Sequence, residues 1–469
     1  MEKLLETVNG IVWGAPALVG ILGVGLYLSI RTGFAQLRLF PRALGDFFSK
    51  LRGKGKKEGE VSPFQALCTA LAATVGTGNL AGVAGAMAIG GPGAIFWMWI
   101  CAILGMMTKF AEAMLAVRYR QRNEAGEWVG GPMYIIQKGM GERWKWLAGS
   151  YAFFGVVAAF GVGNATQVNA VVGSVNQMLS AWGREETAVG NLVMGGILAV
   201  LVCGILLGGM AGIGRAAEKL VPFASLLYLL LGAGVLIARA QALPGALGAI
   251  VAGAFSPKAV TGGAVGSAFV SLRIGVSRGV FTNEAGMGTA GIAHCAANVS
   301  HPAEQGLMGI MEVFLDTIVI CTMTALVILV SGVPIPYGVD VGVSLTTQAF
   351  VSVYGDWAAA LIAGALCCFA IATVLGWGLY GARCAQYLFG SGVWKRFVLL
   401  QGITVMAGAV LKTGTVWLLS ETVNGLMALP NLIALAALTP EVAALTRQYT
   451  KDHGKVRVFL DKDAPLVVK

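Results

Sequence analysis

Long apolar stretches separated by charged loops dominate the chain. Because an α-helix rises about 1.5 Å per residue, crossing the hydrocarbon core of a bilayer takes roughly 20 apolar residues. Read at that length, the pattern predicts an all-α polytopic membrane protein with about eleven transmembrane helices. We place their centres at Val19, Ala81, Cys101, Val162, Leu198, Leu230, Ala268, Ile318, Cys367, Val405 and Leu429.

The charged stretches between these spans predict the orientation of the chain. Lys and Arg are concentrated at 31–57 and at 118–145, whereas 333–354 contains neither. Cytoplasmic loops are enriched in Lys and Arg, so we expect the amino terminus outside and the carboxyl terminus in the cytoplasm. An odd number of spans agrees with this orientation. The expected location is a plasma membrane, specifically a prokaryotic inner membrane.

Composition supports a membrane protein and argues against a nucleic-acid partner. Of 469 residues, 57% are hydrophobic and only 12% are charged, whereas soluble domains carry roughly 25% charged residues. The net charge of +10 is spread over several loops, where it faces anionic lipid, so the lipid bilayer is the expected partner. The eight cysteines show no metal-binding spacing and are interpreted as packing residues. Nothing in the sequence indicates the oligomeric state.

Two glycine-rich interruptions fall within the predicted spans. Gly76-Thr77-Gly78-Asn79 interrupts the second span, and a run from Thr261 to Ser267 interrupts the seventh. An unwound helix exposes backbone groups that lipid cannot satisfy, so such breaks are tolerated where they line a cavity. A pair of breaks in corresponding halves is typical of the midplane binding site of a secondary transporter.

Several longer motifs identify a family. They are Gly76–Ala84, Gly90–Trp99, Thr108–Glu112, Gly131–Tyr134, Arg278–Gly288 and Asn424–Asn431. With them the chain resembles the alanine or glycine:cation symporter family (sodium:alanine symporters) from about Val12 to Leu438. The resemblance implies the leucine-transporter-type fold, in which a 5+5 inverted repeat with two discontinuous helices follows one extra N-terminal helix. We therefore expect an extra helix and loop at 1–60, repeats at 61–240 and 241–440, and a cytoplasmic tail at 441–469.

The implied function is secondary active transport rather than enzyme chemistry. The resemblance implies that sodium entry is coupled to uptake of a small neutral amino acid, alanine or glycine, by alternating access. Proton coupling, or a different amino acid, is one alternative. A membrane sensor that keeps the fold without transporting is another. A membrane enzyme is disfavoured, since the sequence shows no nucleophile–base constellation and no paired metal motif.

The first break has the properties that an amino-acid carboxylate requires. Backbone N–H groups at the positive end of a half-helix bind anions, and the resemblance assigns the carboxylate to the backbone of Thr77 and Gly78. Gln167 and Trp377 match family positions at the substrate, with a packing or lipid-facing aromatic as the alternative for Trp377. The remaining substrate candidates are Asn79, Asn164, Gly263, Ser267 and Phe269. For Asn79 and Asn164, tying helices together is an equal alternative.

The resemblance also implies a sodium site, with Na+ as the coupling ion. Its oxygen ligands would be the carbonyls of Ala72 and Val75, a carbonyl near Phe369 or Ala370, and the hydroxyl of Thr373. The family usually carries two adjacent hydroxyl residues at this point, whereas this chain has Ala372 beside Thr373. One ligand is therefore missing or replaced by water, which predicts weaker sodium binding or substitution by a proton.

Charged residues within predicted spans form the last candidate group. Intramembrane charges must pair, and we expect a cytoplasmic-side gating network of Lys109, Glu112, Arg273, Glu312 and Asp316. A static cluster, or a ring of charge at the membrane interface, is the alternative. Asn283-Glu284 belongs to a family motif but is expected in a cytoplasmic turn, with no assigned role.

Overall fold

The computed structural model describes residues 2–51, 61–181, 183, 185–263, 265–339, 341–411 and 414–451. The Lys-rich part of the first loop, at 52–60, lies outside the described residues, as do Ala264 in the predicted second break and the end of the predicted tail, beyond 451.

The first half of the chain is helical apart from one two-stranded hairpin. Its α-helices are α1 (Glu2–Val12), α2 (Ala15–Thr32), α3 (Ala35–Arg38), α4 (Phe40–Leu51), α5 (Pro63–Thr74), α6 (Val83–Gly90), α7 (Gly93–Arg118), α8 (Pro132–Tyr134), α9 (Lys145–Phe160), α10 (Thr166–Ala181), α11 (Ala188–Leu207) and α12 (Gly209–Ala238). π-Helical segments lie at Gly78–Gly82, Ile135–Met140 and Gly161–Ala165, and a 3₁₀ turn at Glu142–Trp144. Strands β1 (Gln121–Arg122) and β2 (Trp128–Val129) pair antiparallel, with Gln121 opposite Val129.

The second half contains α13 (Leu243–Phe255), α14 (Pro257–Thr261), α15 (Ala268–Asn283), α16 (Thr289–His294), α17 (Pro302–Val313), α18 (Thr322–Ser331), α19 (Ser344–Tyr354), α20 (Trp357–Phe389), α21 (Trp394–Val410) and α22 (Gly414–Lys451). A π-helical segment at Phe314–Cys321 joins α17 to α18, and 3₁₀ turns lie at Ala240–Ala242 and Ser391–Val393.

The helices account for the predicted membrane architecture. Within the described residues, nine helices are long and apolar enough to cross a bilayer, and the pair formed by α5 and the helix from Gly78 to Gly90, bent by 54°, makes ten. The more polar pair α15 and α16 forms one further interrupted helix. The prediction of an all-helical polytopic membrane protein is confirmed, with nine or ten apolar spans among the described residues where about eleven were expected.

Local sequence explains how the first broken helix begins and ends. Ser62 and Gln65 form a reciprocal capping box at the start of α5, and Pro63 occupies the first turn, where its missing N–H is not needed. Every residue of α5 is buried. The helix ends at Val75, whose backbone is extended (φ −77°, ψ 101°). The chain resumes a helical path at Gly78, so the first break lies where the sequence predicts it.

The second break lies elsewhere than predicted. Gly262, Gly263, Gly266 and Ser267 are exposed before α15; Gly262 and Gly263 adopt positive φ, and Ser267 caps the helix by accepting from the N–H of Val270. The seventh span starts at Ala268, the residue expected at its centre. It is interrupted between Asn283 and Thr289, after which α16 completes it.

Glycines allow α7 to pack closely against both α15 and α17. A Cβ at Gly275 of α15 would lie 2.3 Å from the carbonyl oxygen of Ala94, and one at Gly309 of α17 would lie 2.7 Å from that of Lys109. Small residues of this kind let membrane helices approach to backbone contact. The close packing brings the charged residues of α7 to the second break.

Candidate substrate cavity

A cavity lies between the two broken helices. It is lined by Ala73, Thr74, Gly76, Thr77, Gly78, Val162, Gln167, Phe281, Glu284, Thr373 and Trp377. These residues come from the first break, from the fourth span at its π-helical segment, from the end of α15, and from α20. Of the substrate residues expected from sequence, the structure brings Thr77, Gly78, Gln167 and Trp377 together here.

The first break presents backbone and side-chain polar groups to this cavity. Gly78 begins the second half of the broken helix, and the first N–H groups of a helix have no partner in a preceding turn. The Thr77 hydroxyl donates to Oε1 of Gln167 at 3.1 Å, and Nε2 of Gln167 donates to the Val162 carbonyl at 3.1 Å. The amide of Gln167 is thereby fixed beside the positive end of the half-helix.

Two further candidates tie helices together instead of lining the cavity. Asn79 accepts from the N–H of Gly76 at 2.8 Å and donates to Oδ1 of Asp316 at 2.7 Å. Asn164 donates to the carbonyl of Gln401 at 3.0 Å and to the side-chain oxygen of the same residue. Both side chains are fully buried, and the structure therefore favours the interhelical alternative for each.

The three candidates taken from the seventh span do not reach the cavity. Gly263 and Ser267 lie in the turn before α15, and the side chain of Phe269 is 59% exposed. Their predicted placement was wrong because the break was assigned to this glycine-rich turn. Phe281 and Glu284 take the corresponding places, since α15 ends at the cavity rather than beginning there.

Trp377 forms a buried wall that is fixed from two sides. The residue is only 1% exposed, so it does not face lipid, and its Nε1 donates to Oε1 of Glu284 at 2.9 Å. A Cβ at position 163 would lie 2.2 Å from the Cβ of Trp377. Glycine at 163 is therefore what allows the indole to lie against the fourth span.

The comparisons with known proteins decide the family. A model described as the sodium:alanine symporter family matches residues 1–459. The chain belongs to this family. It is 44% identical to an uncharacterized transporter of Haemophilus influenzae over 96% of each chain. It is 42% identical to the sodium/alanine symporter AgcS of Methanococcus maripaludis, over 96% of this chain and 97% of that protein.

Other matches in this symporter family differ in their named substrates. The probable sodium/glutamine symporter GlnT of Bacillus subtilis is 36% identical over 98% of this chain and 93% of its own. Among solved structures, MhsT in complex with L-phenylalanine superposes with a TM-score of 0.57 at 14% identity, over 84% of this chain and 99% of that one. That likeness shows the leucine-transporter-type fold. The protein is an amino-acid symporter and not an enzyme.

In this symporter, three of the expected sodium ligands lie together beside the first break. The Thr373 hydroxyl of α20 lies 3.0 Å from the carbonyl oxygen of Phe369 and 3.4 Å from that of Val75. A Cβ at Gly76 would lie 2.5 Å from the same hydroxyl. Oxygens from two helices therefore converge, and such a donor set fits a hard cation. Ala372 is buried and contributes no side-chain oxygen.

The buried charges surround the second break. Lys109 and Glu312 form an ion pair of 3.0 Å with both side chains fully buried, and Nε2 of His294 lies 2.9 Å from the other oxygen of Glu312. Oε1 of Glu112 accepts the N–H groups of Gly286 at 2.9 Å and Gly288 at 3.1 Å. Glu112 therefore holds the interrupted backbone in place, a role that the sequence did not indicate.

Two further members of the expected gating network behave differently from each other. Asp316 is fully buried and accepts from Asn79 and, at 2.8 Å, from the hydroxyl of Thr317. Arg273 is exposed in α15, ten residues before the helix ends at Asn283, and lies outside the cluster. Its predicted place was wrong because the helix extends further toward its carboxyl end than the hydropathy indicated.

Proposed function

We propose that this symporter couples sodium entry to the uptake of a small neutral amino acid, alanine or glycine, by alternating access. The observation that carries the proposal is the cavity between the two breaks. Its walls are one buried indole, one phenyl ring and closely packed backbone, which favours a substrate with a very small side chain.

The substrate carboxylate binds at the N–H groups of Thr77 and Gly78 in this proposal. The supporting features are the start of a half-helix at Gly78 and its partial positive charge. Gln167, hydrogen-bonded to Thr77, positions this end of the site. Trp377 and Phe281 limit the room for the side chain.

The coupling ion binds among the carbonyl oxygens of Ala72, Val75 and Phe369 or Ala370, together with the hydroxyl of Thr373. Gly76 lies directly between this set and the carboxylate site, since its Cβ position almost touches Thr373. Sodium would therefore stabilise the backbone geometry that the substrate requires. A ligand shifts a conformational equilibrium only through such differential affinity.

Conformational change is assigned to the charges around the second break. Lys109, Glu112, Glu312 and Asp316 are proposed to exchange partners when the site opens to the cytoplasm. The supporting observation is that Glu112 bonds directly to the interrupted backbone at Gly286. If Glu312→Gln exchanges substrate across the membrane at the wild-type rate, the cluster has only a static structural role.

The orientation and the division of the chain belong to the same proposal. The amino terminus is assigned to the outside and the carboxyl terminus to the inside of a plasma membrane, in a prokaryote the inner membrane; the loops rich in Lys and Arg support this assignment. The repeats are assigned to 61–240 and 241–440. The first broken helix opens the first repeat, and the second follows α13 and α14 in the early part of the second repeat, which supports this division.

Uptake of labelled alanine into proteoliposomes tests the proposal. An inward sodium gradient is compared with choline plus an inward proton gradient. Sodium-dependent accumulation is expected. Uptake driven by protons alone would favour the second candidate, proton coupling, for which the missing hydroxyl at Ala372 is the specific observation. Absence of uptake across a full amino-acid panel would instead favour a sensor without transport.

A further inference from the structure

Glu284 is a buried acid at the cavity with an unusual backbone. It ends α15 at φ 53° and ψ 22°, and it is one of two non-glycine residues with positive φ in the described residues. A side chain in the left-handed region is uncommon, and such strain persists where the surrounding structure imposes it, often at binding sites. Here the strained conformation directs the carboxyl group to the cavity wall.

The carboxyl group of Glu284 is anchored by neutral donors. Oε1 accepts from the indole of Trp377 at 2.9 Å, and Oε2 accepts from the hydroxyl of Thr289. A carboxylate has about four acceptor positions, so each oxygen can accept again. The anchoring fixes the direction of the group and leaves acceptor capacity toward the cavity.

Glu284 also lacks a counterion of its own. None of the ion pairs among the described residues involves it, and Lys109, which is within its electrostatic reach, pairs with Glu312 at 3.0 Å. A carboxylate buried at membrane depth is costly unless it is paired. The carbonyl end of α15, at the same position, adds partial negative charge. This wall of the cavity therefore attracts a cation.

We propose that the cation is the α-ammonium group of the substrate, which Glu284 accepts as its counterion. The inference rests on the proposed function and names the residue that selects the amino group. The zwitterion spans the cavity, with its carboxylate at the positive end of the half-helix beginning at Gly78 and its ammonium at Glu284. Amino acids with an acidic side chain are then disfavoured, because a second carboxylate would face the first.

The test compares alanine with propionate, which has the same carbon skeleton and no amino group. Competition against labelled alanine is measured on purified protein and in proteoliposomes with an inward sodium gradient. Charge-assisted hydrogen bonds contribute about 1.5–3 kcal/mol, so Glu284→Gln is expected to weaken alanine binding on the order of tenfold to a hundredfold. The preference for alanine over propionate falls by the same factor. The glutamine can still accept from Trp377 and donate to Thr289, which preserves the shape of the cavity.

Two control variants distinguish the effect of the Glu284 charge from the effect of changing the cavity wall or removing an acid elsewhere. Trp377→Phe removes the indole donor and keeps the acid, so it should alter size selectivity while alanine remains preferred over propionate. Glu441→Gln removes an acid that pairs with Arg118 at 3.1 Å outside the cavity, and should resemble wild type. The inference is overturned if Glu284→Gln binds alanine like wild type, or if Trp377→Phe loses the same preference.

Failure of the inference can be distinguished from failure of the proposed function. Wild-type protein that does not accumulate alanine would overturn the proposed substrate. The comparison is then made between the amino acid that wild type does accumulate and its analogue without the amino group. A wild type that distinguishes the two, together with a Glu284→Gln variant that distinguishes them less, supports the role of Glu284 for any neutral amino acid.

Discussion

Adding one methyl group at Gly163 should move the aromatic wall of the cavity. A Cβ there would lie 2.2 Å from the Cβ and 2.4 Å from the Cγ of Trp377, whereas carbon atoms pack at about 3.5–4.0 Å. The indole must therefore retreat by roughly 1.3 Å. That displacement is enough to break its 2.9 Å hydrogen bond to Glu284.

The expected cost of Gly163→Ala follows from the two effects. Overpacking a filled interior costs about 1–3 kcal/mol, and losing a hydrogen bond to a charged group costs about 1.5–3 kcal/mol. We expect a lower melting temperature and an increase in the KM for alanine of at least about tenfold, since 1.4 kcal/mol corresponds to one decade. Sodium-driven uptake in proteoliposomes and thermal unfolding in detergent measure the two quantities.

Gly173→Ala in the same span is the matched control. No atom lies within 4 Å of its Cβ position, and glycine to alanine in an open helical site is neutral or slightly stabilising. It should leave the KM unchanged. If Gly163→Ala and Gly173→Ala transport alanine with the same KM, then Trp377 is not the fixed wall that we describe.

Three further predictions concern the cation and the buried charges. Thr373→Val should raise the sodium concentration for half-maximal uptake, and Ala372→Ser should lower it by supplying a second hydroxyl. If neither substitution changes that concentration, sodium does not bind at this site. Lys109→Met removes the cation paired with Glu312 and leaves that buried acid with His294 alone, which should destabilise the protein by about 3–5 kcal/mol, and thermal unfolding should show partial recovery when Glu312→Gln is added. Arg273→Ala should leave uptake at the wild-type rate because the residue is exposed outside the cluster. A large loss of uptake in this variant would show that Arg273 takes part in gating.

The first break could be predicted from sequence because its signal is local. Gly76, Gly78 and Asn79 stand within an otherwise apolar run, and an unwound helix at that depth requires such residues. Gln167 and Trp377 have no such local signal, and they were predicted only from their match to family positions. Their contacts depend on residues 90 and 93 positions away in the chain.

The second break was misplaced for a physical reason. Residues 278–294 include Arg278, Asn283, Glu284 and His294, which a hydropathy window interprets as a loop. In the folded chain these polar groups are satisfied internally: Asn283 bonds to Thr317, Glu284 to Trp377 and His294 to Glu312. The usable signal was the Asn-Glu-Ala-Gly-Met-Gly motif, whose Gly286 and Gly288 take positive φ.

The two breaks are joined by a short chain of hydrogen bonds through the eighth span. Asn79 of the first break donates to Asp316 at 2.7 Å, Thr317 donates to the same carboxylate at 2.8 Å, and Asn283 at the end of α15 donates to Thr317 at 3.1 Å. All of these groups are fully buried, so breaking one bond strands a polar partner away from water. The half-helices on either side of the cavity are therefore favoured to move together. At their proposed sites, sodium beside Gly76 and substrate beside Glu284 would thus bias one connected element, which is what thermodynamic coupling between two ligands requires.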